Sequence, residues 1–170
     1  MPSGLTDMLT HQEFVDLIRF LSELGKGKYA AAGMPVARRW RLLDPPIAGT
    51  SATPAELNNN PSLTWIPMYS QVDGVLPIDP KMPGRNYLRT QLEVTTPGQI
   101  EITFNDPHTA VLAWMDNSLV EPKKKMSFDL PSGIHTLSLL IEAPRCIDGL
   151  KLELTEAPGS AAKAQFIGGK

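Results

Sequence analysis

The chain has 170 residues, a formal net charge of -2 at pH 7, 42% hydrophobic residues and a single cysteine, Cys146. A chain of this length normally forms one domain and buries roughly 70% of its unfolded surface. The charge balance argues against a nucleic-acid partner, which would need a basic face, and one cysteine excludes an internal disulfide. No apolar run approaches the ~20 residues of a membrane span, and the first residues lack the charged and then apolar pattern of an export signal.

The first predicted element is a helix that begins after Thr10. Thr10 and Glu13 have the spacing of a capping box, in which each side chain bonds the backbone amide of the other residue. Apolar residues then recur along one stripe at helical spacing, and Gly25 follows as a stop signal: Phe14, Leu17, Ile18, Leu21 and Leu24. A helix of about four turns is marginal alone in water, so the stripe predicts a partner that covers it.

The start of the chain carries two short runs that resemble a known family: Met1, Pro2, Gly4 and Leu5, and then Leu9, Thr10 and Glu13. They are similar to the last helix of the c-type cytochrome domain in large multidomain haem proteins of planctomycetes, often described as membrane-bound dehydrogenases. In that family a Met-Pro-x-Gly-Leu run supplies the axial methionine of the haem. The resemblance therefore implies that Met1 is an axial haem ligand and that haem c is the cofactor of the parent protein.

The rest of the chain resembles the β-rich module that follows this domain and ends in Gly168, Gly169 and Lys170. The match to the cytochrome domain is incomplete, because covalent haem attachment needs Cys-x-x-Cys-His and the lone Cys146 has no neighbouring histidine. We therefore expect no cofactor on this chain alone, and Met1 to reach iron only beside a haem-bearing partner segment. We interpret the chain as the tail of a larger cytochrome-containing protein, produced as a separate subunit or a truncated reading frame, with a periplasmic location implied by the resemblance.

After the helix, residues 27–61 are predicted to form a linker that holds a first strand over 36–43 and one helical turn over 54–57. Apolar and polar residues alternate over 88–94 and again over 100–104, and Pro97 and Gly98 between them predict a hairpin. Further apolar or alternating runs at 110–115, 126–130, 137–142 and 150–154 are separated by turn residues.

The overall prediction is a mainly β chain in three parts. Residues 1–26 form the last helix of an incomplete cytochrome c-like domain, 27–61 the linker, and 62–170 an antiparallel β-sandwich of about seven or eight strands. One short amphipathic α-helix and a linker thus precede the sandwich.

Three aromatic residues are candidates for a ligand platform. An exposed row of aromatic rings on a sandwich face would stack on sugar rings, as in carbohydrate-binding modules. Trp65 and Tyr69 flank Pro67, and a proline favours an edge strand, so these two are the best candidates, with Trp40 as a third. Packing is nevertheless the interpretation we favour for Trp65 and Tyr69, and also for Trp114, which lies in an apolar run.

Motifs for catalysis are missing from the sequence. There is no Gly-x-Ser-x-Gly, His-Glu-x-x-His, phosphate loop or dinucleotide fingerprint, and His11, His108 and His135 lack the spacing of metal ligands. The missing motifs favour a non-catalytic chain, and the resemblance implies that it is an accessory or docking module of a haem-containing electron-transfer dehydrogenase. Its partners would be the cytochrome c segment or other parent domains. A carbohydrate-binding module, with a glycan as ligand, is the alternative, and a structural domain that dimerises through its helix is a third hypothesis.

Overall fold

A computed structural model of the chain describes residues 10–23, 35–44, 46, 52–82, 84–155 and 157–168. It contains two compact units, Met1–Ala32 and Gly33–Lys170. Met1, the predicted axial ligand, lies outside the described residues, as do the predicted helix stop at Gly25 and the linker residues 27–34.

The first unit contains helix α1, His11–Glu23, which begins as the sequence predicts. The backbone amide of Thr10 donates to the Glu13 carboxylate at 2.8 Å, and the amide of Glu13 donates to the Thr10 hydroxyl at 3.3 Å. The capping box is therefore confirmed, and it satisfies amides that the first helical turn leaves without a partner. No helix in the described part of the chain is long and apolar enough to cross a membrane.

The second unit is an antiparallel β-sandwich, which confirms the predicted fold class. Its described residues form helix α2 (Pro54–Asn58) and ten strands: β1 (Arg39–Asp44), β2 (Thr64–Tyr69), β3 (Arg85–Thr96), β4 (Gly98–Phe104), β5 (Ala110–Met115), β6 (Ser118–Val120), β7 (Lys125–Leu130), β8 (Gly133–Glu142), β9 (Leu152–Thr155) and β10 (Lys163–Phe166). The larger sheet has the order β2-β1-β3-β8-β5-β6, with β10 also paired to β3, and the smaller sheet has the order β7-β4-β9.

The main core lies between the inner faces of the two sheets. Neighbouring residues in a strand point to opposite faces, so Leu88 and Leu139 enter this core while Tyr87 and Leu140 point the other way. The residues that point outward form a second, smaller cluster on the outer face of the larger sheet: Leu43, Leu57, Tyr87, Trp114 and Leu140. Trp114 is buried there, as the sequence predicts, and α2 covers the cluster with Leu57.

Helix α2 confirms the predicted helical turn within the linker. The hydroxyl of Thr53 accepts a hydrogen bond from the amide of Glu56, and the Glu56 carboxylate accepts one from the Thr53 amide at 2.7 Å. This second capping box fixes the start of a helix of only five residues. The hydroxyl of Tyr87 donates to the carbonyl of Ala52 at 2.9 Å and ties the approach to α2 onto the sheet.

The predicted hairpin over 88–104 is wrong. Strand β3 pairs with β1, β8 and β10, whereas β4 pairs with β7 and β9, so the two strands belong to different sheets. Gly98, at a φ of +134°, lies where the chain crosses from one sheet to the other. The alternation of the sequence is the same for paired strands and for strands that face each other across a core, so it could not separate the two arrangements.

Two further differences concern strand ends and short strands. The first strand begins at Arg39 rather than Val36, because Val36 forms an isolated bridge with Glu153 of β9 before the chain enters the larger sheet. The strands missed by the sequence analysis, β6 and β10, have three and four residues, which is too short for an alternation signal.

Candidate ligand-binding face

The candidate site lies on the outer face of the larger sheet, beside the cluster that α2 covers. The register of β1 and β2 places Arg39 opposite Tyr69 and Arg41 opposite Pro67. Arg41 also lies opposite Arg89 of β3. Because cross-strand neighbours share a face, these side chains form one continuous surface. We name the three arginines Arg39, Arg41 and Arg89 the arginine cluster.

Trp40 does not belong to this surface, and its prediction as a platform residue is wrong. It is 0% exposed and lies in the core between the sheets, because its position in β1 alternates with Arg39 and Arg41 on the outer face. Its indole nitrogen donates to the carbonyl of Ala37 at 3.2 Å and to the hydroxyl of Ser70 at 3.0 Å. Trp40 is therefore a structural residue that anchors β1.

Trp65 lies on the outer face, but one face of its ring is covered. The ring packs against the α2-covered cluster and is half-buried, and the guanidinium carbon of Arg89 lies 3.9 Å from its centroid. A second contact holds Arg89 in place, since its guanidinium donates to the amide oxygen of Asn58 at 2.6 Å. This stacked arginine occupies the ring face that a sugar would use.

Tyr69 is the exposed member of the three predicted aromatic residues. It is 61% exposed and ends β2, which is an edge strand of the larger sheet. Its cross-strand neighbour is Arg39. The aromatic surface open to a ligand therefore lies directly beside the arginine cluster.

The arginine cluster concentrates positive charge that the described residues do not neutralise. None of its three guanidinium groups forms an ion pair with a described carboxylate, and the Nε atom of Arg39 is buried without a hydrogen-bond partner. Burial lowers the pKa of Arg89, and the charge of Arg41 lowers it further. Like charges directly opposite each other destabilise a sheet, so this arrangement costs stability in the absence of an anion.

A cleft of about 130 Å³ opens among these side chains, and its lining is Arg39, Arg41, Arg89, Thr90, Gln91 and Ile167. It lies where β1 and β10 meet along the same edge of β3. The hydroxyl of Thr90 donates to the carbonyl of Arg39 at 2.9 Å. The amide of Ile167 donates to the carbonyl of Gln91 at 2.9 Å. These two bonds fix the walls of the cleft.

A second depression, of about 200 Å³, adjoins the cleft because Arg89 lines both. Its lining is mainly amides, hydroxyls and one carboxylate: Pro54, Asn58, Trp65, Arg89, Asp116, Asn117, Thr136 and Ser138. Such side chains both donate and accept hydrogen bonds, as sugar hydroxyls do. We name this depression the polar groove.

Asp116 fixes one end of the polar groove. It has a φ of +55°, and its carboxylate accepts a bond from the amide of Thr136 at 2.8 Å. The same carboxylate lies 2.8 Å from Nδ1 of His135, whose Nε2 lies 2.9 Å from the carbonyl of Pro131. Burial opposes protonation of His135, but the bonds to Asp116 and Pro131 outweigh it and raise the pKa of the ring.

The described residues bring together no group of three His, Cys, Asp or Glu side chains that could hold a metal ion. Cys146 is buried, its thiol contacts the carbonyl of Glu142 at 3.6 Å, and burial raises its pKa. The outer face instead presents guanidinium groups, which stay protonated at neutral pH and can only donate hydrogen bonds. The chemistry that this arrangement supports is the binding of an anion.

The arginine cluster was not predicted from the sequence. The alternate spacing of Arg39 and Arg41 is a signal that both share one face of a strand. That Arg89 lies beside them depends on the register between β1 and β3, which the sequence does not reveal.

Comparisons of the chain with protein-family models, with curated proteins and with solved structures give no match.

Proposed function

We propose that this chain is a non-catalytic accessory module that docks onto a haem-bearing cytochrome c segment of a periplasmic electron-transfer dehydrogenase. The observation that carries the proposal is the surface of α1. Its apolar side chains are between 38% and 50% exposed: Phe14, Val15, Leu17 and Ile18. Burying such surface is favourable, and a partner is the means by which a short helix gains stability.

The resemblance of residues 1–13 to the last helix of a cytochrome c domain supplies the class of partner. In this proposal α1 closes a haem pocket on the partner segment, and Met1 supplies the axial thioether to the iron. Haem c is covalently attached to the partner, since this chain has one cysteine and no Cys-x-x-Cys-His. The sandwich is then a docking or ligand-binding element.

The test is capture of a haem-bearing protein by the immobilised full-length chain from a periplasmic extract of its source, measured by the haem absorption of the bound fraction. Ile18→Glu places a charge on the apolar stripe, and Gln12→Glu places the same charge on the opposite side of α1 as the matched control. We expect capture by the natural chain and by Gln12→Glu, and loss of capture with Ile18→Glu.

Equal capture by all three proteins, or none by the natural chain, would contradict the docking proposal. A second measurement adds free haem to the chain alone. Tight binding with the absorption bands of a His–Met haem would contradict the claim that the chain lacks a complete haem site.

Glycan binding is a second candidate function, and the outer face of the larger sheet favours it. Tyr69 presents an exposed ring, and the polar groove offers hydrogen-bonding groups on the same face. A glycan array probed with the natural chain and with Tyr69→Ala tests this candidate. Ile147→Ala is the control, because it removes another exposed apolar side chain from a turn outside this face. Absence of any glycan signal would remove the candidate.

A further inference from the structure

The arginine cluster keeps three cationic side chains together although the fold gains nothing from their proximity. Arg41 and Arg89 are direct cross-strand neighbours, and Arg39 lies on the same face two residues before Arg41. No described carboxylate forms an ion pair with any of the three. A bound anion would offset this repulsion and would accept hydrogen bonds from the guanidinium groups that line the cleft.

The lining of the cleft suits an anion that a guanidinium group can hold. The cleft has a volume of about 130 Å³, and guanidinium groups line it from both β1 and β3. Arginine binds a carboxylate through two parallel hydrogen bonds, which the flat guanidinium group presents in a fixed geometry. Two neighbouring arginines can therefore hold one carboxylate from two sides.

The surroundings of the cleft favour a saccharide as the carrier of that carboxylate. On one side Arg39 adjoins the exposed ring of Tyr69, which can stack on the apolar face of a sugar. On the other side Arg89 adjoins the polar groove, whose amides and hydroxyls suit sugar hydroxyls. A peptide run of acidic residues would use the charge but has no ring face to stack on Tyr69.

We infer that the arginine cluster binds the carboxylate of an acidic saccharide such as a uronate, an inference that rests on the glycan-binding candidate above. Tyr69 stacks on the sugar ring, and the polar groove receives a neighbouring sugar unit. The carboxylate of Asp116 lines the groove and repels a second carboxylate. The sugar unit in the groove is therefore neutral, or its carboxylate lies away from Asp116.

The test is calorimetric titration of the full chain with a short oligogalacturonate and with its methyl ester, which is matched in shape but lacks the charge. We expect the acid to bind at least about tenfold more tightly than the ester, because hydrogen bonds to charged groups are worth roughly 1.5–3 kcal/mol. Arg41→Gln should weaken binding of the acid by a similar factor. Lys124→Gln, the same charge change in an exposed residue next to the smaller sheet, should leave binding unchanged.

Three results would overturn the inference, and they differ in what they imply for glycan binding. Equal binding of acid and ester would exclude carboxylate recognition while leaving the glycan-binding candidate intact. No binding of either, together with an empty glycan array, would exclude both. Equal binding of an oligoglutamate would show that the cluster recognises acidic peptides instead. Thermal unfolding of each variant, monitored by circular dichroism, confirms that the variant is folded. Arg41→Lys keeps the charge, but it should still bind the acid more weakly because lysine lacks the planar guanidinium group with its paired donors.

Discussion

Arg41 of β1 lies directly opposite Arg89 of β3 on the outer face of the larger sheet. Two like charges in such a position normally destabilise a sheet, yet both side chains line one cleft and a third arginine, Arg39, lines it with them. The two arginines differ in their other contacts. Arg89 stacks on Trp65 and donates to Asn58, whereas Arg41 is exposed and makes no ion pair within the described residues. Of the two arginines, Arg41 therefore contributes less to the stability of the fold.

Replacement of Arg41 by Gln should stabilise the protein. The substitution removes the repulsion of Arg89, and we expect a gain in the free energy of unfolding of about 0.2–1 kcal/mol, measured by urea unfolding at low salt. Added salt screens the repulsion, so the gain should shrink as the salt concentration rises. A loss of stability in Arg41→Gln would show that Arg41 has a structural partner and would weaken the case for a binding role.

Replacement of Arg89 by Gln should have the opposite effect, because it removes the stack on Trp65 and the bond to Asn58. A double-mutant cycle of Arg89→Gln with Trp65→Leu isolates the stack. We expect a coupling energy of about 0.5–1 kcal/mol from urea unfolding of the four proteins. A coupling near zero would mean that the guanidinium group leaves the ring in solution and that the face of Trp65 is open to ligands.

The sequence predicted the elements of this fold better than their arrangement. The spacing of Thr10 and Glu13 located the start of α1 because a capping box depends only on residues within one turn. Alternation located the long strands for the same local reason. It could not show that the chain leaves one sheet at Thr96 and enters the other at Gly98, since each strand buries one face in either arrangement.

The candidate site was less predictable because it depends on faces and register. Trp40 and Arg41 are neighbours in β1, and the sequence alone did not show that the tryptophan points into the core while the arginine points out. The position of Arg89 beside Arg41 joins residues 48 positions apart, which only strand pairing reveals. Tyr69 was predicted as a candidate because Pro67 favours an edge strand, and β2 is at the edge of its sheet.

The pair of His135 and Asp116 should make stability depend on pH. The pKa of His135 in the folded chain lies above its ordinary value of 6.5, because the bonds to Asp116 and Pro131 outweigh the opposing effect of burial. A group whose pKa is raised by folding stabilises the fold fully below its unfolded pKa, and this contribution is lost as the pH rises through the folded pKa. The pair should therefore stabilise the protein at pH 6 more than at pH 9.

Asp116→Asn tests this dependence by urea unfolding at both pH values. Asparagine tolerates the positive φ of this position, so the change removes the charge without straining the turn. We expect the natural chain to exceed the variant in stability by a larger margin at pH 6 than at pH 9. Other carboxylates titrate equally in both proteins and cancel in the comparison. A margin that stays constant or grows with pH would show that His135 is neutral in the folded chain.

Gly149 should tolerate a side chain less well than Gly159, although the two glycines have similar backbone conformations. Gly149 and Gly159 have φ values of +69° and +77°, so alanine is strained at both by about 1–2 kcal/mol. At Gly149 the added Cβ would also lie 2.5 Å from Val75 Cγ1 and 2.7 Å from the carbonyl oxygen of Leu76, whereas at Gly159 it meets nothing within 4 Å.

The clash with the Leu76 carbonyl is the harder one to relieve. The backbones of Leu76 and Leu150 are joined by two hydrogen bonds, at 2.8 and 3.0 Å, so moving this carbonyl away requires breaking the bridge between them. Gly149→Ala should therefore lower the free energy of unfolding by about 1–3 kcal/mol more than Gly159→Ala does, measured by urea unfolding. Equal losses in the two variants would mean that the segment around Val75 moves freely and that the bridge to Leu150 contributes little to the fold.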